Sequence, residues 1–359
     1  MSVSQRGSRR LTSPESSSVF ARMLLPSSAM RALVLDDGVR VRPDYPEPVP
    51  HDREVLVRVL SAGICATDLE LIRGYMGFRG VLGHEFVGVA VTGALAGRRV
   101  VGEINCNCGA CPTCRRGLPT HCPQRSTLGI VNRDGAFADM LLLPERNLHP
   151  VPDSMATDVA LFTEPVAAAF QIPDQVPIQQ TDRIIVLGDG RLGNLCAQVL
   201  ADRSDDVLVI GKHEEKLKLL NGFGIRTARF GDAIPEGRAD IVVDCTGSAS
   251  GLPAAIALVR PRGTIVLKTT VAGAQMLPWA PFVIDEIMLV GSRCGPFDRA
   301  LAALETGRII VEPLISARFS LERGVEALEY ARSRPVLKVV LDISISSPAP
   351  SSAIINGRC

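Results

Sequence analysis

The chain has 359 residues, of which 46% are hydrophobic and 21% charged, a composition typical of globular proteins that bury a core, and its length corresponds to roughly two domains. Its 39 basic and 38 acidic residues leave a net charge of +1, which excludes the strongly basic surface that binds nucleic acid or an anionic membrane. No apolar run approaches the roughly 18 residues of a transmembrane helix, so the sequence predicts no membrane span.

Residues 1–29 are rich in Ser and Arg and contain a single acidic residue, Glu15. This composition cannot bury apolar surface, so the segment is predicted to be disordered. It is either an extension or a miscalled start, with Met30 as the true beginning, or an organelle transit peptide, which has the same composition. The predicted location is therefore cytoplasmic, or plastid or mitochondrial if the leader is a transit peptide. The Ser- and Pro-rich tail, residues 344–359, is also predicted to be disordered.

The region between these ends has two different sequence patterns. Residues 30–165 alternate short β-type runs with Gly and Pro turns, which predicts a many-stranded, mainly antiparallel unit. Residues 166–295 alternate strand and helix patterns, which predicts βαβ units and a doubly wound parallel sheet. Residues 296–343 add two helices and a closing strand, LKVVLDI. The fold class is therefore α/β, with the parallel-sheet unit inserted into the β-rich one.

The segment GDGRLG at residues 188–193 follows the strand pattern IIVL and opens a helix pattern. In such a turn Gly188 makes the tight bend, Gly190 lets the backbone approach a pyrophosphate, and Gly193 permits close packing of helix on strand. The free N–H groups at the helix N-terminus then bind the phosphates. The strand before the turn and the helix after it predict a dinucleotide site that includes Leu192.

The end of the second strand bears on which dinucleotide binds. An acidic residue there would bond the adenosine ribose hydroxyls and repel a 2′-phosphate. This chain instead has Gly211-Lys212-His213, where the glycine leaves room for a phosphate and Lys212 supplies positive charge. The segment therefore favours NADP over NAD. NAD stays open, because Lys212 can be a solvated surface charge and the adjacent Glu214 and Glu215 oppose an anion.

Five of the ten cysteines fall within 17 residues, and four of these have the regular spacing of a metal site: Cys108, Cys111, Cys114 and Cys122. A disulfide framework would spread its cysteines along a short secreted chain, so this cluster indicates metal. Four thiolates complete a tetrahedral zinc shell and leave no position for substrate. The cluster therefore predicts a structural zinc, with Cys106 as a free thiol.

A second set of metal-ligating residue types is spread along the chain: Cys65, His84, Glu85 and Glu164. One thiolate, one imidazole and one carboxylate are ligands that a catalytic zinc takes while keeping a position for water or substrate. Each residue alone can equally be an ordinary buried or surface side chain. Spacing alone does not join them into one site.

Five landmarks occur in a recognisable order: GICATD, GHEFVG, the four-cysteine lobe, EPVAAA and GDGRLG. With them the chain from Met30 to about Ile343 resembles the zinc-containing medium-chain alcohol dehydrogenases, and its C-terminal part resembles the polyol and threonine dehydrogenase branch. The resemblance implies a GroES-like catalytic domain with a structural zinc lobe at about residues 104–124, an inserted Rossmann domain, and an active site in the cleft between them. It also implies two zinc ions per chain and a homodimer or homotetramer.

The resemblance assigns roles to individual residues. Cys65 and His84 are expected as catalytic zinc ligands, with Glu85 or Glu164, or each in turn, completing the shell. Asp68 matches the acid that fixes the tautomer of the zinc-ligating histidine. A glutamate at position 164 is typical of the polyol-like branch, so it favours polyols, sugars or hydroxy acids over simple alcohols.

The implied activity is reversible hydride transfer between a secondary alcohol, polyol or sugar-like substrate and the nicotinamide, with zinc as Lewis acid. Thr67 matches the hydroxyl that takes the alcohol's proton. Several alcohol dehydrogenases carry a proton-releasing histidine where this chain has Glu70, so either Glu70 or Glu164 with water is expected to pass the proton on. The alternatives are a zinc-independent quinone or enoyl reductase on the same fold, or a non-catalytic NADP-binding protein.

Overall fold

A computed structural model describes residues 28–51, 53–232, 237–269 and 276–344 of the chain. Nearly all of the leader and tail predicted from the sequence, residues 1–27 and 345–359, therefore lies outside the described residues. Within the described ranges, no helix has the length and apolar character needed to cross a bilayer.

Of the strands in the described residues, eleven precede the glycine-rich turn and seven follow it. In chain order they are β1 (Ala29–Leu35), β2 (Val39–Pro46), β3 (Glu54–Ile64), β4 (Gly80–Val81), β5 (Glu85–Ala90), β6 (Arg99–Gly102), β7 (Asn105–Cys106), β8 (Ser126–Thr127), β9 (Met140–Pro144), β10 (Leu148–Pro150), β11 (Arg183–Leu187), β12 (Asp206–Gly211), β13 (Arg226–Arg229), β14 (Ala239–Asp244), β15 (Val259–Leu267), β16 (Met288–Gly291), β17 (Ile315–Ser320) and β18 (Lys338–Asp342).

In the described residues, helices of eight or more residues begin at residue 163, and several of them lie between the parallel strands. In chain order the helices are α1 (Ala66–Ile72), α2 (Pro112–Arg115), α3 (Thr157–Ala160), α4 (Thr163–Gln175), α5 (Arg191–Ala201), α6 (Glu214–Gly222), α7 (Gly251–Leu258), α8 (Ala280–Ile284), α9 (Phe297–Glu305) and α10 (Gly324–Ser333).

Six strands form a parallel sheet in the order β13-β12-β11-β14-β15-β16. Counted from β11, this is the order 3-2-1-4-5-6 of doubly wound dinucleotide-binding folds. The predicted doubly wound parallel sheet is confirmed. The central strands β11, β12 and β14 read as nearly continuous apolar runs because helices cover both faces there, and β11 is buried along its whole length. The order reverses between β11 and β14, and in sheets of this kind ligands bind beyond the carboxyl ends of the strands at such a reversal.

The β-rich unit is built mainly on a seven-stranded sheet in the order β10-β6-β5-β3-β18-β17, with β9 pairing to β3. The central strand β3 pairs antiparallel with β5 on one side and with β18 on the other. Because β18 comes from the C-terminal end of the chain, the parallel-sheet unit is inserted between β10 and β17. This topology places the start of β5, the end of β3 and the start of β18 side by side.

Candidate active site

The four regularly spaced cysteines form a compact cluster around α2. Their Sγ atoms are separated by 3.5 Å (Cys111–Cys114), 3.6 Å (Cys108–Cys122), 3.8 Å (Cys111–Cys122) and 4.0 Å (Cys108–Cys114). Zinc with Zn–S bonds of about 2.3 Å in tetrahedral geometry sets its sulfur ligands about 3.8 Å apart. The cluster therefore fits a closed zinc site with no other ligand.

Backbone N–H groups favour the thiolate form of Cys108 and Cys111. Cys111 N donates to Cys108 Sγ at 3.3 Å, and Cys114 N donates to Cys111 Sγ at 3.5 Å. N–H donors from Ala110 and Cys111 lower the pKa of Cys108 to about 6. Cys106 lies outside the cluster, in β7, and burial raises the pKa of its thiol. The lobe thus contains four clustered cysteines and one buried cysteine outside the cluster.

The second group of ligand types meets where β3, β5 and β18 lie side by side. Cys65 directly precedes α1, His84 directly precedes β5, and Glu85 is the first residue of β5. One ligand atom from each of these three residues lies within 4.8 Å of the other two. The register pairs Gly63 with Glu85, and a Cβ on Gly63 would lie 2.6 Å from Glu85 Oε2. Glycine at position 63 therefore makes room for the carboxylate.

Asp68 holds the histidine and the cysteine of this group together. Its Oδ1 lies 3.3 Å from Nδ1 of His84, and its Oδ2 accepts a hydrogen bond from Cys65 N at 2.8 Å. Burial acts to lower the pKa of His84, but Asp68 and Cys65 outweigh it and the pKa is raised. A carboxylate beside one ring nitrogen leaves the other for a metal ion, the usual arrangement at zinc-ligating histidines.

Glu85 is fully buried between two cations. Its Oε2 pairs with Lys338 Nζ from β18, and its Oε1 lies 3.4 Å from Arg191 Nη2. Burial acts to raise the pKa of Glu85, but Arg191 and Lys338 outweigh it and the pKa is lowered. Oε1 accepts no hydrogen bond within the described part of the chain. A buried carboxylate oxygen without a donor, next to a thiol and an imidazole, fits a metal ligand.

Glu164, near the start of α4, lies outside this group of three although it is electrostatically linked to it. Burial raises the pKa of its carboxyl, and the negative charge of Glu85 raises it further. Of the two glutamates predicted to complete the shell, the structure thus places Glu85 within the group and Glu164 beside it.

Thr67 and Glu70 line a cavity of about 370 Å³ that reaches from the metal-type group to the glycine-rich turn. Thr67 Oγ1 lies 3.8 Å from Cys65 Sγ, so its hydroxyl stands next to a candidate metal ligand. Glu70 is partly exposed and accepts a hydrogen bond from Arg73 Nη1 at 2.6 Å. Leu192 lines the same cavity. Two of the three predicted catalytic residues, Thr67 and Glu70, therefore line one cavity together with two predicted cofactor residues, Gly190 and Leu192.

The glycine-rich turn connects β11 to α5 at the reversal of strand order. Gly188 has a φ of 111°, and a Cβ on Gly193 would lie 2.0 Å from Gly188 O, so both positions need glycine. A Cβ on Gly190 would meet no atom within 4 Å. The surface at Gly190 is thus open at the helix N-terminus, where a pyrophosphate would bind.

A second cavity of about 320 Å³ lies at the far end of this turn, and Gly211, Lys212, His213 and Lys216 line it. Asp189, within the turn, accepts hydrogen bonds from Lys212 N and His213 N, both at 2.6 Å. Burial acts to raise the pKa of Asp189, but the donors of His213 and Lys212 outweigh it and the pKa is lowered. A carboxylate therefore does lie close to Gly211, but it belongs to Asp189 in the glycine-rich turn and not to the end of β12.

Sequence reasoning missed Arg191 and Lys338, the two cations of the buried group. A single lysine in the apolar strand pattern LKVVL is a signal for a buried ion pair. No comparable signal marks Arg191, because it occupies one of the variable positions of the glycine-rich motif.

Comparisons with known proteins agree with this geometry. Residues 51–153 match the model of the alcohol dehydrogenase GroES-like domain. The chain is 32% identical to an L-threonine 3-dehydrogenase of Streptomyces coelicolor, over 83% of this chain and 94% of that one. It is also 32% identical to a D-altritol 5-dehydrogenase of Agrobacterium fabrum, over 78% of this chain and 89% of that one.

A solved structure of a zinc-binding dehydrogenase from Sinorhizobium meliloti 1021, bound to NADP, matches with a TM-score of 0.79 and 26% identity. The match covers 88% of this chain and all of the other. The predicted combination of a GroES-like unit with a parallel-sheet unit is confirmed.

Proposed function

Because this chain belongs to the zinc-containing medium-chain alcohol dehydrogenase family, we propose that it oxidises a secondary alcohol of the polyol, sugar or hydroxy-acid class with NADP⁺, reversibly. The chain is an oxidoreductase of CH–OH groups. The observation that supports the proposal most is the convergence of Cys65, His84 and Glu85, because Cys65 also lines the cavity that borders the glycine-rich turn.

We assign two zinc ions to each chain. Four cysteines, Cys108, Cys111, Cys114 and Cys122, would hold the structural ion, and Cys65, His84 and Glu85 would hold the catalytic one, with Glu164 beside them. The catalytic ion, when bound, supplies Lewis acidity that lowers the pKa of the substrate alcohol. Free thiolate ligands need a reducing compartment, which supports a cytoplasmic location or an organelle interior.

The chain's own residues then orient the substrate and move its proton. Thr67 accepts the alcohol proton, because its hydroxyl lies on the cavity wall beside Cys65. Glu70 passes the proton to solvent, since it lies on the same wall and is partly exposed. Leu192 borders the cavity from the dinucleotide side and would pack against the nicotinamide. The reaction converts alcohol and NADP⁺ into carbonyl, NADPH and a proton.

We assign NADP over NAD on the charges at the second cavity. Lys212 and Lys216 both line it, and Lys212 Nζ lies 5.4 Å above the ring of Phe230, so a cation stands near the adenosine end. The carboxylate of Asp189 is largely buried and occupied by N–H donors of Lys212 and His213, which leaves it less able to bond a ribose hydroxyl. NAD remains the alternative cofactor.

We also propose that the chain forms a homodimer through the edge of the parallel sheet. Strand β16 is the last strand of that sheet, and Met288 and Leu289 on it are exposed. Three more apolar side chains are exposed at α8: Trp279, which directly precedes the helix, and Val283 and Ile284, which lie in it. An exposed edge strand with apolar side chains favours pairing with a second copy.

A panel of substrates tests the proposed activity. Purified protein is incubated with NADP⁺ or NAD⁺ and a set of polyols, sugars, hydroxy acids and simple alcohols, and formation of reduced nicotinamide is followed at 340 nm. We expect reduction with at least one polyol-like substrate and none after Cys65→Ala. Activity that survives Cys65→Ala would instead support a zinc-independent reductase, and absence of cofactor binding would contradict any role as an NADP protein.

A further inference from the structure

Arg191 connects the glycine-rich turn to the metal-type group. It is the first residue of α5, directly after Gly190, yet its side chain reaches into the β-rich unit. Its Nη2 donates to Cys65 Sγ at 3.1 Å, and its Nη1 donates to Ile64 O at 2.8 Å. One side chain therefore starts at the dinucleotide turn and ends at a candidate metal ligand.

The guanidinium of Arg191 lies close to the position that a metal ion bound to Cys65 would occupy. Nη2 bridges Cys65 Sγ at 3.1 Å and Glu85 Oε1 at 3.4 Å. A zinc ion would lie about 2.3 Å from the same sulfur. Because a guanidinium keeps its charge in proteins, the two cations would repel each other across a few ångströms of buried space. Metal binding therefore requires the Arg191 side chain to move.

The pyrophosphate of a dinucleotide is the partner to which Arg191 can move. The phosphates would bind at the N-terminus of α5, the helix that Arg191 begins, and the space at Gly190 is open. Arg191 Nε is buried and has no hydrogen-bond partner among the residues that the structure describes. Arginine binds phosphate oxygens through paired N–H donors, so this unused donor fits an anion at the turn.

We propose that Arg191 couples the two sites, holding Cys65 and Glu85 when the dinucleotide is absent and binding the pyrophosphate when zinc occupies the metal site. Bound dinucleotide draws Arg191 away from the metal site, and bound zinc frees Arg191 to bind the pyrophosphate. Each ligand therefore strengthens the binding of the other, so zinc and dinucleotide bind cooperatively. The proposal rests on two parts of the proposed function: that Cys65 and Glu85 are zinc ligands, and that residues 188–193 bind a pyrophosphate.

ADP-ribose is the probe that isolates this coupling, since it carries the pyrophosphate and lacks the nicotinamide. Its Kd is measured by calorimetry on the full chain with two zinc ions, and on chain treated with a chelator until one ion remains. We expect ADP-ribose to bind about tenfold more tightly to the two-zinc protein. By linkage, ADP-ribose should tighten binding of the removable zinc by the same factor, which chelator competition measures.

The variant Arg191→Gln tests the residue itself. Without the competing cation, zinc should bind the variant more tightly than the wild type when ADP-ribose is absent. In this variant, the ratio of the ADP-ribose Kd of the one-zinc protein to that of the two-zinc protein should fall towards one. Arg191→Lys, which keeps a charge on a flexible stem, should retain part of the coupling and guards against misfolding of the first variant. Arg332→Gln, an exposed arginine on α10 paired with Glu329, is the matched control and should behave as wild type.

Two results would overturn the proposal: equal ADP-ribose affinity with one and two zinc ions in the wild type, or a coupling factor that Arg191→Gln leaves unchanged. Its failure is distinct from failure of the proposed function. Dehydrogenase activity without coupling removes only the role of Arg191, whereas coupling without activity on any alcohol removes only the proposed reaction. Absence of ADP-ribose binding removes both.

Discussion

Lys338 and Glu85 form an ion pair in which neither side chain is exposed to solvent, although the two residues are 253 positions apart in the chain. The pair joins the start of β18 to the start of β5. Removing one partner of such a pair leaves an uncompensated buried charge. The geometry of Glu85, and with it the candidate metal site, therefore depends on the C-terminal strand.

Lys338→Met is expected to lower the free energy of unfolding by about 3–5 kcal/mol, because Glu85 loses one of its two cations. Urea denaturation of wild type and variant measures the difference. The double variant Lys338→Met with Glu85→Gln should recover part of the loss, since the buried charge is removed as well. A loss below 1 kcal/mol in the single variant would contradict a role for the pair in stability.

Cys114→Ser is expected to reduce the zinc content from about two ions per chain to about one and to lower Tm. The physical reason is that three thiolates no longer complete the tetrahedral shell that four sulfurs fit. Cys106→Ser is the matched control, since Cys106 lies outside the cluster. Elemental analysis that finds the same zinc content in both variants would rule out the structural site.

Thr67→Val is expected to lower kcat by about 100-fold with little change in zinc content, because the hydroxyl proposed to take the substrate proton is lost. Thr67→Ser keeps the hydroxyl and should retain most of the activity. Steady-state kinetics with the best substrate of the panel distinguishes these outcomes. Equal rates for the two variants would remove Thr67 from the proton path.

Lys212→Ala is expected to weaken NADP binding about five- to tenfold, while NAD binding changes little, because a cation near the 2′-phosphate is lost. Fluorescence titration with each cofactor measures both Kd values. Lys218→Ala, on α6 and paired with Glu214, is the control and should change neither. The case for NADP fails if Lys212→Ala weakens both cofactors equally.

His149 links β10 to α9 and gives a stability contribution that depends on pH. Its Nε2 lies 3.2 Å from Glu103 and its Nδ1 lies 3.2 Å from Asp298. Burial acts to lower the pKa of His149, but the two carboxylates outweigh it, so the folded pKa is raised above the ordinary value of 6.5. The stabilisation that protonated His149 gives the folded state is thus fully present below pH 6.5, and it is lost as the pH rises through the folded pKa.

His149→Gln should therefore cost more stability at pH 5.5 than at pH 9, with a difference of up to about 1 kcal/mol for partly exposed ion pairs. Urea denaturation at the two pH values measures it. The same cost at both values would show that the ring contributes through packing on Phe297 alone, whose centroid lies 5.2 Å from that of His149.

The parts of the fold that could be predicted are those fixed by residues close in sequence. The four cysteines span 15 positions and carry their own spacing, and the turn at residues 188–193 is set by the strand and helix on either side. The ion pair of Glu85 with Lys338 and the contact of Arg191 with Cys65 join residues 253 and 126 positions apart. Pairings of that kind depend on the three-dimensional packing of the two units, which no local pattern encodes.

The insertion of the parallel-sheet unit between β10 and β17 also sets an order of assembly during synthesis. Cys65, His84 and Glu85 leave the ribosome early, whereas Lys338 follows more than 250 residues later. Until then β3 lacks its neighbour β18, and Glu85 has no lysine partner. The centre of the β-rich unit is therefore completed last, after the four-cysteine lobe and the parallel sheet have been made, and a chain truncated before β18 lacks the lysine that pairs with Glu85 in the candidate metal site.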